Sequence, residues 1–462
     1  MNLNEKDTIA AISTPLGESG IGIVRLSGGL ALEIASKLFV AKNNKPLNRD
    51  STFVTRYGRI HDNGKTVDEI LLTVMLAPKT YTREDVVEFS CHGGLLALKT
   101  TLELCLRHGA RLAGPGEFTL RAFLNGRIDL AQAEAVINII RAKTDLALKC
   151  ALRQLDGQLS KKLYEIKEKL TDALSGIEAS LDYPEEDENF ELTAIPARLK
   201  ASLGELDKLI ETSRAGSIIK DGLVAVIVGK PNVGKSSILN MLLKQEKAIV
   251  TPFPGTTRDI VEDVINIKGI PVRLMDTAGI RHTKDEIEVI GVEKSRKSLK
   301  TADLVLFVID LSGNISEEDR SIASDLEGKQ VLIVENKNDL PAKTTGKDIA
   351  SLFSGRSVPE VSISAKENKG LAGLENGIYS RFISGDISVS DEIIVTDLRH
   401  REALLKTRES LERALEAIEK KSSGEFIALD LRQALEHLGE IAGKFTNEDL
   451  LDRIFSSFCI GK

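Results

Sequence analysis

Cysteine is scarce in this chain, and the little there is follows no pattern. Cys91, Cys105, Cys150 and Cys459 form no CxxC pair and no metal-ligand spacing. That argues against a disulfide framework or a zinc site and for free thiols in a reducing compartment. Long apolar runs are missing too, with no stretch near the ~18 residues of a membrane-spanning helix. The first residues, Met1 to Asp7, lack the apolar core of a secretory leader, so the expected location is the cytoplasm. A basic excess is also absent: Lys and Arg number 62 against 69 Asp and Glu, a formal net charge of −7. Proteins that hold nucleic acid by broad electrostatic contact carry a basic face. Any RNA contact here must be local or shared with a partner. Internal repeats and low-complexity tracts are lacking as well. What remains is ordinary globular composition, 42% hydrophobic and 28% charged over 462 residues, enough for about three domains.

From Asp7 to about Leu112, short β-like runs alternate with two helical patterns. Ile21–Leu26, Phe53–Ile60, Val67–Leu76 and Val86–Ser90 read as strands; Leu30–Phe39 and Gly94–Arg107 read as helices. Asn63-Gly64 joins the second and third runs, and both residues tolerate the positive φ of a tight hairpin. After Pro115 the character changes to long-helix spacing from Phe118 to Leu181. An acidic break (Pro184-Glu185-Glu186-Asp187-Glu188) and a further helix to about Arg214 follow. Helical spacing returns at Leu398–Lys420, Phe426–Ala442 and Asn447–Phe458, the last behind a Thr446-x-x-Asp449 cap signal. The expected architecture is therefore multidomain. Residues 1–117 form an N-terminal α+β domain, 118–216 and 381–462 a discontinuous all-helical domain, and 217–380 an inserted α/β domain. Cys91, Cys105 and Cys150 fall on strand or helix patterns and are expected in the core.

The inserted segment carries the clearest chemistry. Leu223–Val228 is a continuous apolar run, as a strand buried on both faces should be. It leads into Gly229-Lys230-Pro231-Asn232-Val233-Gly234-Lys235-Ser236, followed by helix-like Ser237–Leu243. This is a phosphate-binding P-loop in the strand–loop–helix context the motif needs. Its glycines let backbone N–H groups turn toward phosphates at a helix N-terminus. Lys235 should reach the β- and γ-phosphates and the Ser236 hydroxyl should ligate Mg²⁺. Asp276-Thr277-Ala278-Gly279 then follows a strand run, with Asp276 on the Mg²⁺ shell and the Gly279 N–H on the γ-phosphate. Asn336-Lys337-Asn338-Asp339 follows another; the Asp339 carboxylate can accept from guanine N1–H and the 2-amino group together. Adenine has no such donor pair, so the nucleotide is GTP. Ser364-Ala365-Lys366 resembles the element whose backbone reads guanine O6. These ordered motifs imply a doubly wound P-loop GTPase domain. Ile280 stands where many small GTPases have a water-positioning Gln, so another group must orient water. Arg258 and Arg281 sit nearby, but neither is identifiable as an arginine finger.

Over its whole length the chain resembles the MnmE (TrmE) family of tRNA-modification GTPases. The matching residues include Gly22-Ile23-Val24-Arg25-Leu26-Ser27-Gly28, Tyr81-Thr82-Arg83-Glu84-Asp85-Val86-Val87-Glu88 and His92-Gly93-Gly94. Pro115-Gly116-Glu117-Phe118, Arg121-Ala122-Phe123-Leu124-Asn125 and Asp129-Leu130-Ala131-Gln132-Ala133-Glu134-Ala135 continue the match. Pro254-Gly255-Thr256-Thr257-Arg258-Asp259 and the ending Phe458-Cys459-Ile460-Gly461-Lys462 complete it. The resemblance implies a homodimer working with a flavoprotein partner, MnmG (GidA), to add an aminomethyl-type group at C5 of the wobble uridine of certain tRNAs.

The resemblance also assigns residues. G domains of such proteins dimerise across their nucleotide faces with K⁺ as activator, which here implies Asn232, Thr251, Phe253 and Thr256 as its ligands. The loop Thr251-Pro252-Phe253-Pro254-Gly255-Thr256 would wrap the nucleotide, Thr257 would join Ser236 on Mg²⁺, and Glu288 would orient the water. A folate one-carbon carrier, 5-formyltetrahydrofolate or a relative, is implied at Arg25, Glu88, Arg127 and Lys462, with Cys459 close to the one-carbon unit. Many relatives have Lys where this chain has Arg127, keeping the charge but not the fork geometry. The rival readings are a ribosome-assembly GTPase and a purely regulatory switch; the first normally adds a basic RNA-binding module, and the second needs no folate pocket.

Overall fold

A computed structural model describes residues 7–182, 194–244, 264–276, 299, 301–353, 356–383, 393–444 and 448–462. The N-terminal part comprises β1 (Thr8–Ile12), β2 (Gly22–Ser27), α1 (Ala31–Leu38), β3 (Phe39–Ala41), β4 (Val54–Asp62), β5 (Lys65–Met75), β6 (Val86–Cys91), α2 (Leu95–Arg107) and β7 (Ala110–Leu112). The strands order as β3-β4-β5-β6-β2-β1-β7, antiparallel except for the β1–β7 pair. Asn63 and Gly64 form the β4–β5 turn at φ 48° and 82°, the pairing expected of a hairpin whose twist matches its strands. Both helices cover one face, where Ile34, Leu38, Leu98 and Leu104 pack on Val24, Leu26, Leu72 and Phe89. On the other face, Ile9 and Ala11 pack on Phe118. Strands β1, β3 and β7 lie outside the sequence expectation. At three to five residues they are too short for a period to emerge.

The expected long helical stretch is four helices: α3 (Glu117–Leu124), α4 (Leu130–Arg141), α5 (Asp145–Leu155) and α6 (Gln158–Asp182). Polar caps make the breaks. Asp129 and Gln132 form a reciprocal capping box on α4, and Thr144 accepts from Ala147 to start α5, each satisfying backbone N–H groups that a first turn leaves unpaired. The next helix, α7 (Ile195–Asp221), continues past the expected end near Arg214.

Strands β8 (Leu223–Val228), β9 (Val264–Ile267), β10 (Ile270–Asp276), β11 (Leu304–Asp310), β12 (Val331–Asn336) and β13 (Glu360–Ser362) form the second sheet, with helices α8 (Lys235–Leu243), α9 (Glu317–Asp325), α10 (Gly346–Ser351) and α11 (Leu371–Ser380). Its order is β13-β12-β11-β8-β10-β9, parallel except for the β9–β10 hairpin. Along β11, Leu304, Leu306 and Val308 enter one core and Val305, Phe307 and Ile309 the other. A strand buried on both faces needs this unbroken apolar run.

The chain then returns to helices α12 (Leu398–Glu419), α13 (Gly424–Ala442) and α14 (Glu448–Phe455). The last is shorter than expected, and Thr446 lies outside the described residues. Phe458 falls beyond the helix yet stays buried, its ring 5.4 Å from that of Phe455. One core joins α6 and α7 to α12 and α13 through Ile166, Leu170, Leu199, Leu206, Leu404, Leu411, Leu431 and Leu438. The helical body is therefore a single unit interrupted by the second sheet.

Entry and exit of that sheet lie side by side. The Val395 N–H donates to Thr212 Oγ1 at 3.2 Å. Gly216 is close enough that a Cβ there would stand 2.0 Å from the Val395 carbonyl oxygen. Lys220, one residue from the end of α7, pairs with Asp397 just before α12. On the far side, Thr144 Oγ1 donates at 2.7 Å to the carbonyl of Gly269, in the β9–β10 turn.

Candidate functional site

The nucleotide motifs converge at the carboxyl ends of the parallel strands, where open α/β sheets bind ligands. Beyond β8 the loop takes Asn232 to φ 62° and Gly234 to φ 104°. At Gly234 a Cβ would lie 2.2 Å from Asn336 Nδ2, so only glycine fits there. Lys235 donates to the carbonyls of Gly229 and Lys230 at 2.7 and 2.8 Å, which curls the loop around its own ammonium. Ser236 and Ser237 follow in the first turn of α8. Asn336 ties three motifs together: Nδ2 donates to the Val233 carbonyl at 2.8 Å, and Oδ1 accepts from the Ala365 N–H at 3.0 Å.

The corner formed by the residues expected to read the base is equally ordered. Ser364 Oγ donates to Asp339 Oδ1 at 2.6 Å and accepts from the Glu367 N–H at 3.1 Å. That hydroxyl holds the Asp339 carboxyl below its ordinary range, keeping it an acceptor. Lys337, at φ 64°, donates to Asp310 Oδ2 at 2.6 Å. Burial would push the Asp310 carboxyl up, but Lys337 and Ser312 outweigh it and hold it low. Lys366 follows Ala365 on the same loop. Asp276 closes β10 in register with Ile227 of β8, one strand from the P-loop. Thr251, Pro252, Phe253, Pro254, Gly255, Thr256, Thr257, Thr277, Ala278, Gly279 and Glu288 lie outside the described residues, as do Arg258 and Arg281.

Two supports of this site escaped sequence reading. One is Asp310. The other is Asp319, fully buried, which accepts from Lys230 at 2.8 Å. Ser316, three residues before Asp319 and closing a capping box with it, was the available signal.

A second group of residues gathers where the chain's last residues meet the first sheet. Arg25 on β2 and Glu88 on β6 are register partners, with Nε donating to Oε1 at 2.7 Å. Arg25 also donates to the Gly461 carbonyl at 3.0 Å and lies 5.7 Å from the centre of the Phe118 ring. The segment Cys459–Lys462 runs beside residues 115–118. The Gly116 N–H donates to the Cys459 carbonyl at 3.3 Å, Pro115 and Ile460 form a β-bridge, and the Phe118 N–H donates to the Lys462 carbonyl at 3.2 Å. The Lys462 ammonium is pushed down by burial and by Arg25, which favours an anionic neighbour. Arg127 lays its guanidinium 4.6 Å from the centre of the Tyr81 ring, and Tyr81 shares a 3.0 Å hydrogen bond with Thr119. Cys459 is exposed while the other three thiols are buried; burial pushes Cys91 up to about 11 and raises Cys105 and Cys150 as well. Only Cys459 thus presents an accessible thiol. Sequence reading missed Tyr81 and the backbone of 115–118, whose partners are distant in the chain.

The chain matches known proteins along its length. Residues 8–127 match the family described as the GTP-binding protein TrmE N-terminus, and residues 130–459 match the MnmE helical domain. A tRNA modification GTPase MnmE from Thermoanaerobacter pseudethanolicus is 50% identical over 459 residues, 99% of each chain. Another from Geobacillus kaustophilus is 46% identical over 464 residues, covering all of both chains. Among solved structures, the G domain of the T. maritima FeoB iron transporter is 25% identical over 34% of this chain and 97% of its own, with a TM-score of 0.26.

Asp339→Asn should weaken GTP binding about tenfold or more, because a charged acceptor facing two donors is lost. Binding of xanthosine triphosphate, whose ring replaces the 2-amino donor with a carbonyl, should improve relative to GTP. Equilibrium competition between the two nucleotides reads this directly, and full retention of the GTP preference would refute the role of Asp339.

Proposed function

Because the chain belongs to the MnmE (TrmE) family of tRNA modification GTPases, we propose that it couples GTP hydrolysis to folate-dependent addition of an aminomethyl-type group at C5 of the wobble uridine. It does so as a homodimer with a flavoprotein partner of the MnmG (GidA) kind. In this reading residues 1–117 hold the folate, 217–380 hydrolyse GTP, and the helical segments 118–216 and 381–462 join them. The observation that carries it is the meeting of Arg25, Glu88, Phe118 and Cys459–Lys462 at one place. A carboxylate suits the donors of a pterin ring, cations suit its glutamate tail, and the exposed Cys459 stands beside them. Arg127 lies across Tyr81 at the outer edge. The folate would supply the one-carbon unit. Among the described residues no helix is long and apolar enough to cross a membrane.

At the nucleotide, Lys235 binds the β- and γ-phosphates. Ser236 and Thr257 offer hydroxyl oxygens that would suit Mg²⁺, and Asp276 offers a carboxylate for its outer shell. Asn232 offers a neutral carbonyl oxygen, and Thr251, Phe253 and Thr256 backbone oxygens, a donor set that suits K⁺. Bound there, such a cation would neutralise charge developing between the β- and γ-phosphates. Glu288 orients the attacking water, which the apolar Ile280 cannot do.

Hydrolysis should therefore run faster in potassium than in sodium at equal ionic strength, by on the order of 10² if the ion acts like one oxyanion-stabilising group. Asn232→Ala should remove most of the difference, and Glu288→Ala should lower kcat with little change in nucleotide affinity. Equal rates in the two salts would end the potassium reading. For the modification itself, a deletion strain carrying the wild-type chain should show the modified wobble uridine by nucleoside mass spectrometry, whereas Cys459→Ser should not. Undiminished modification with the variant would remove Cys459 from the chemistry.

A further inference from the structure

The chain is acidic, and most of the cations around its N-terminal sheet are engaged by carboxylates. Arg25 faces Glu88, Arg111 faces Asp7 and Glu117, and Arg121 faces Asp7, Glu84 and Glu117. Two guanidiniums at the rim of the Cys459 site stand apart. Arg83 and Arg127 are both exposed, and among the described residues neither faces a carboxylate. Arg83 donates instead to the Asn125 carbonyl at 2.9 Å, and Arg127 lies on Tyr81. The acids closest in sequence are already committed. Glu84 accepts from Arg121 and Ser27, and Asp129 accepts from Gln132 as the α4 cap.

Arg83 is held in an uncommon conformation. Its φ is 59°, a left-handed value that costs a non-glycine residue on the order of 1 kcal/mol. Its hydrogen bond fixes it to the α3–α4 turn, next to Gly126 and Arg127. Tyr81 links this rim to the interior, since both Arg127 and Arg25 bear on its hydroxyl. Exposed, unneutralised guanidiniums on a rigid turn form a local cationic surface on an otherwise acidic chain. A base presented to the one-carbon unit beside Cys459 would have to be splayed from its loop, bringing the phosphates that flank it past the rim.

We propose that Arg83, on the outer side of the folate-assigned Arg127, binds the phosphate backbone of the tRNA anticodon loop at the mouth of the Cys459 site. The inference rests on the wobble-uridine reading above. Guanidinium forks match phosphate oxygens in bidentate fashion, and such contacts position the RNA without reading its sequence.

The test is equilibrium binding of an unmodified tRNA transcript to the full chain across a potassium chloride series, beside binding of 5-formyltetrahydrofolate. Arg83→Gln should weaken tRNA binding several-fold and reduce the slope of log K against log salt by about 0.7, one single-strand phosphate contact. Arg127→Gln, at a position assigned to the folate, should weaken folate binding instead. Arg83→Lys should restore most of the slope, while folate binding by Arg83→Gln stays at the wild-type level. Unchanged urea-unfolding midpoints, read through the helical signal, show that the variants are folded. An unchanged salt slope in Arg83→Gln, or a loss of folate binding in place of tRNA binding, would overturn the inference and leave the wobble-uridine reading standing. A wild-type chain that binds no tRNA would overturn the inference, and one that supports no wobble modification would overturn the reading on which it rests.

Discussion

The pairing of Lys220 with Asp397 is the interaction on which the arrangement of the molecule depends. A sheet inserted into a helical body has two connections to that body, and both must be fixed if the parts are to move as one. Lys220 stands at the exit and Asp397 at the return, 177 residues apart. Asp397 is only 9% exposed, and an unpaired carboxylate so placed would be costly. Asn138 and Thr396 donate to it at 3.2 and 3.1 Å, with Gln154 at 3.5 Å. Burial alone would raise its pKa; His400 and Lys220 reverse that and hold the carboxyl at about 2. The donors come from α4, α5 and α7, so one carboxylate fixes three helices to the start of a fourth.

From this junction both candidate sites can be reached through packed structure. Glu134, a turn before Asn138 on α4, is clasped by Arg399 at 2.7 Å and by His400 at 2.6 Å, which aligns α4 with α12. Helix α3 meets α4 through Leu120, Leu130 and Ala133, together with Phe455 and Phe458, and the neighbouring Phe118 lies under Arg25. In the other direction Thr144 holds the β9–β10 turn, and β10 runs from that turn to Asp276 at the nucleotide loop. A cleft of about 720 Å³ lies at the crossing, lined by Asn138, Lys220, Asp397 and Arg399 among others. Motion of one sheet relative to the other would have to pass through this ring of charges.

What was legible in the sequence was what is contiguous in it. The P-loop, Asn336–Asp339 and Ser364–Lys366 each place several functional groups within a few residues, and a strand ending in a tight loop imposes that spacing. The hairpin at Asn63-Gly64 was legible for the same reason. Strands β1, β3 and β7 were not, because three to five residues show no period. Nor were the partners of Cys459–Lys462, which lie about 340 to 440 residues upstream, or Asp397, whose donors come largely from α4, α5 and α7. Buried charge networks leave no local signature, since each member looks like a surface residue until the helices pack. Arg25 and Glu88 could be assigned to a folate only by resemblance; sequence spacing alone does not reveal that 63 residues separate these register partners.

The measurement that bears most directly on this account is a double-mutant cycle at the junction. Lys220→Met, Asp397→Leu and the combined variant would be compared with the wild type by urea unfolding, each followed through the helical signal and through bound GTP. A hydrogen-bonded pair whose carboxylate is buried and whose ammonium is half-buried predicts that each single change is destabilising, most of all Lys220→Met, and that the double variant recovers part of the loss, a coupling of about 1–3 kcal/mol. Strictly additive losses, with helical body and nucleotide module unfolding at unchanged and separate midpoints, would contradict the claim that this one ion pair holds the two together.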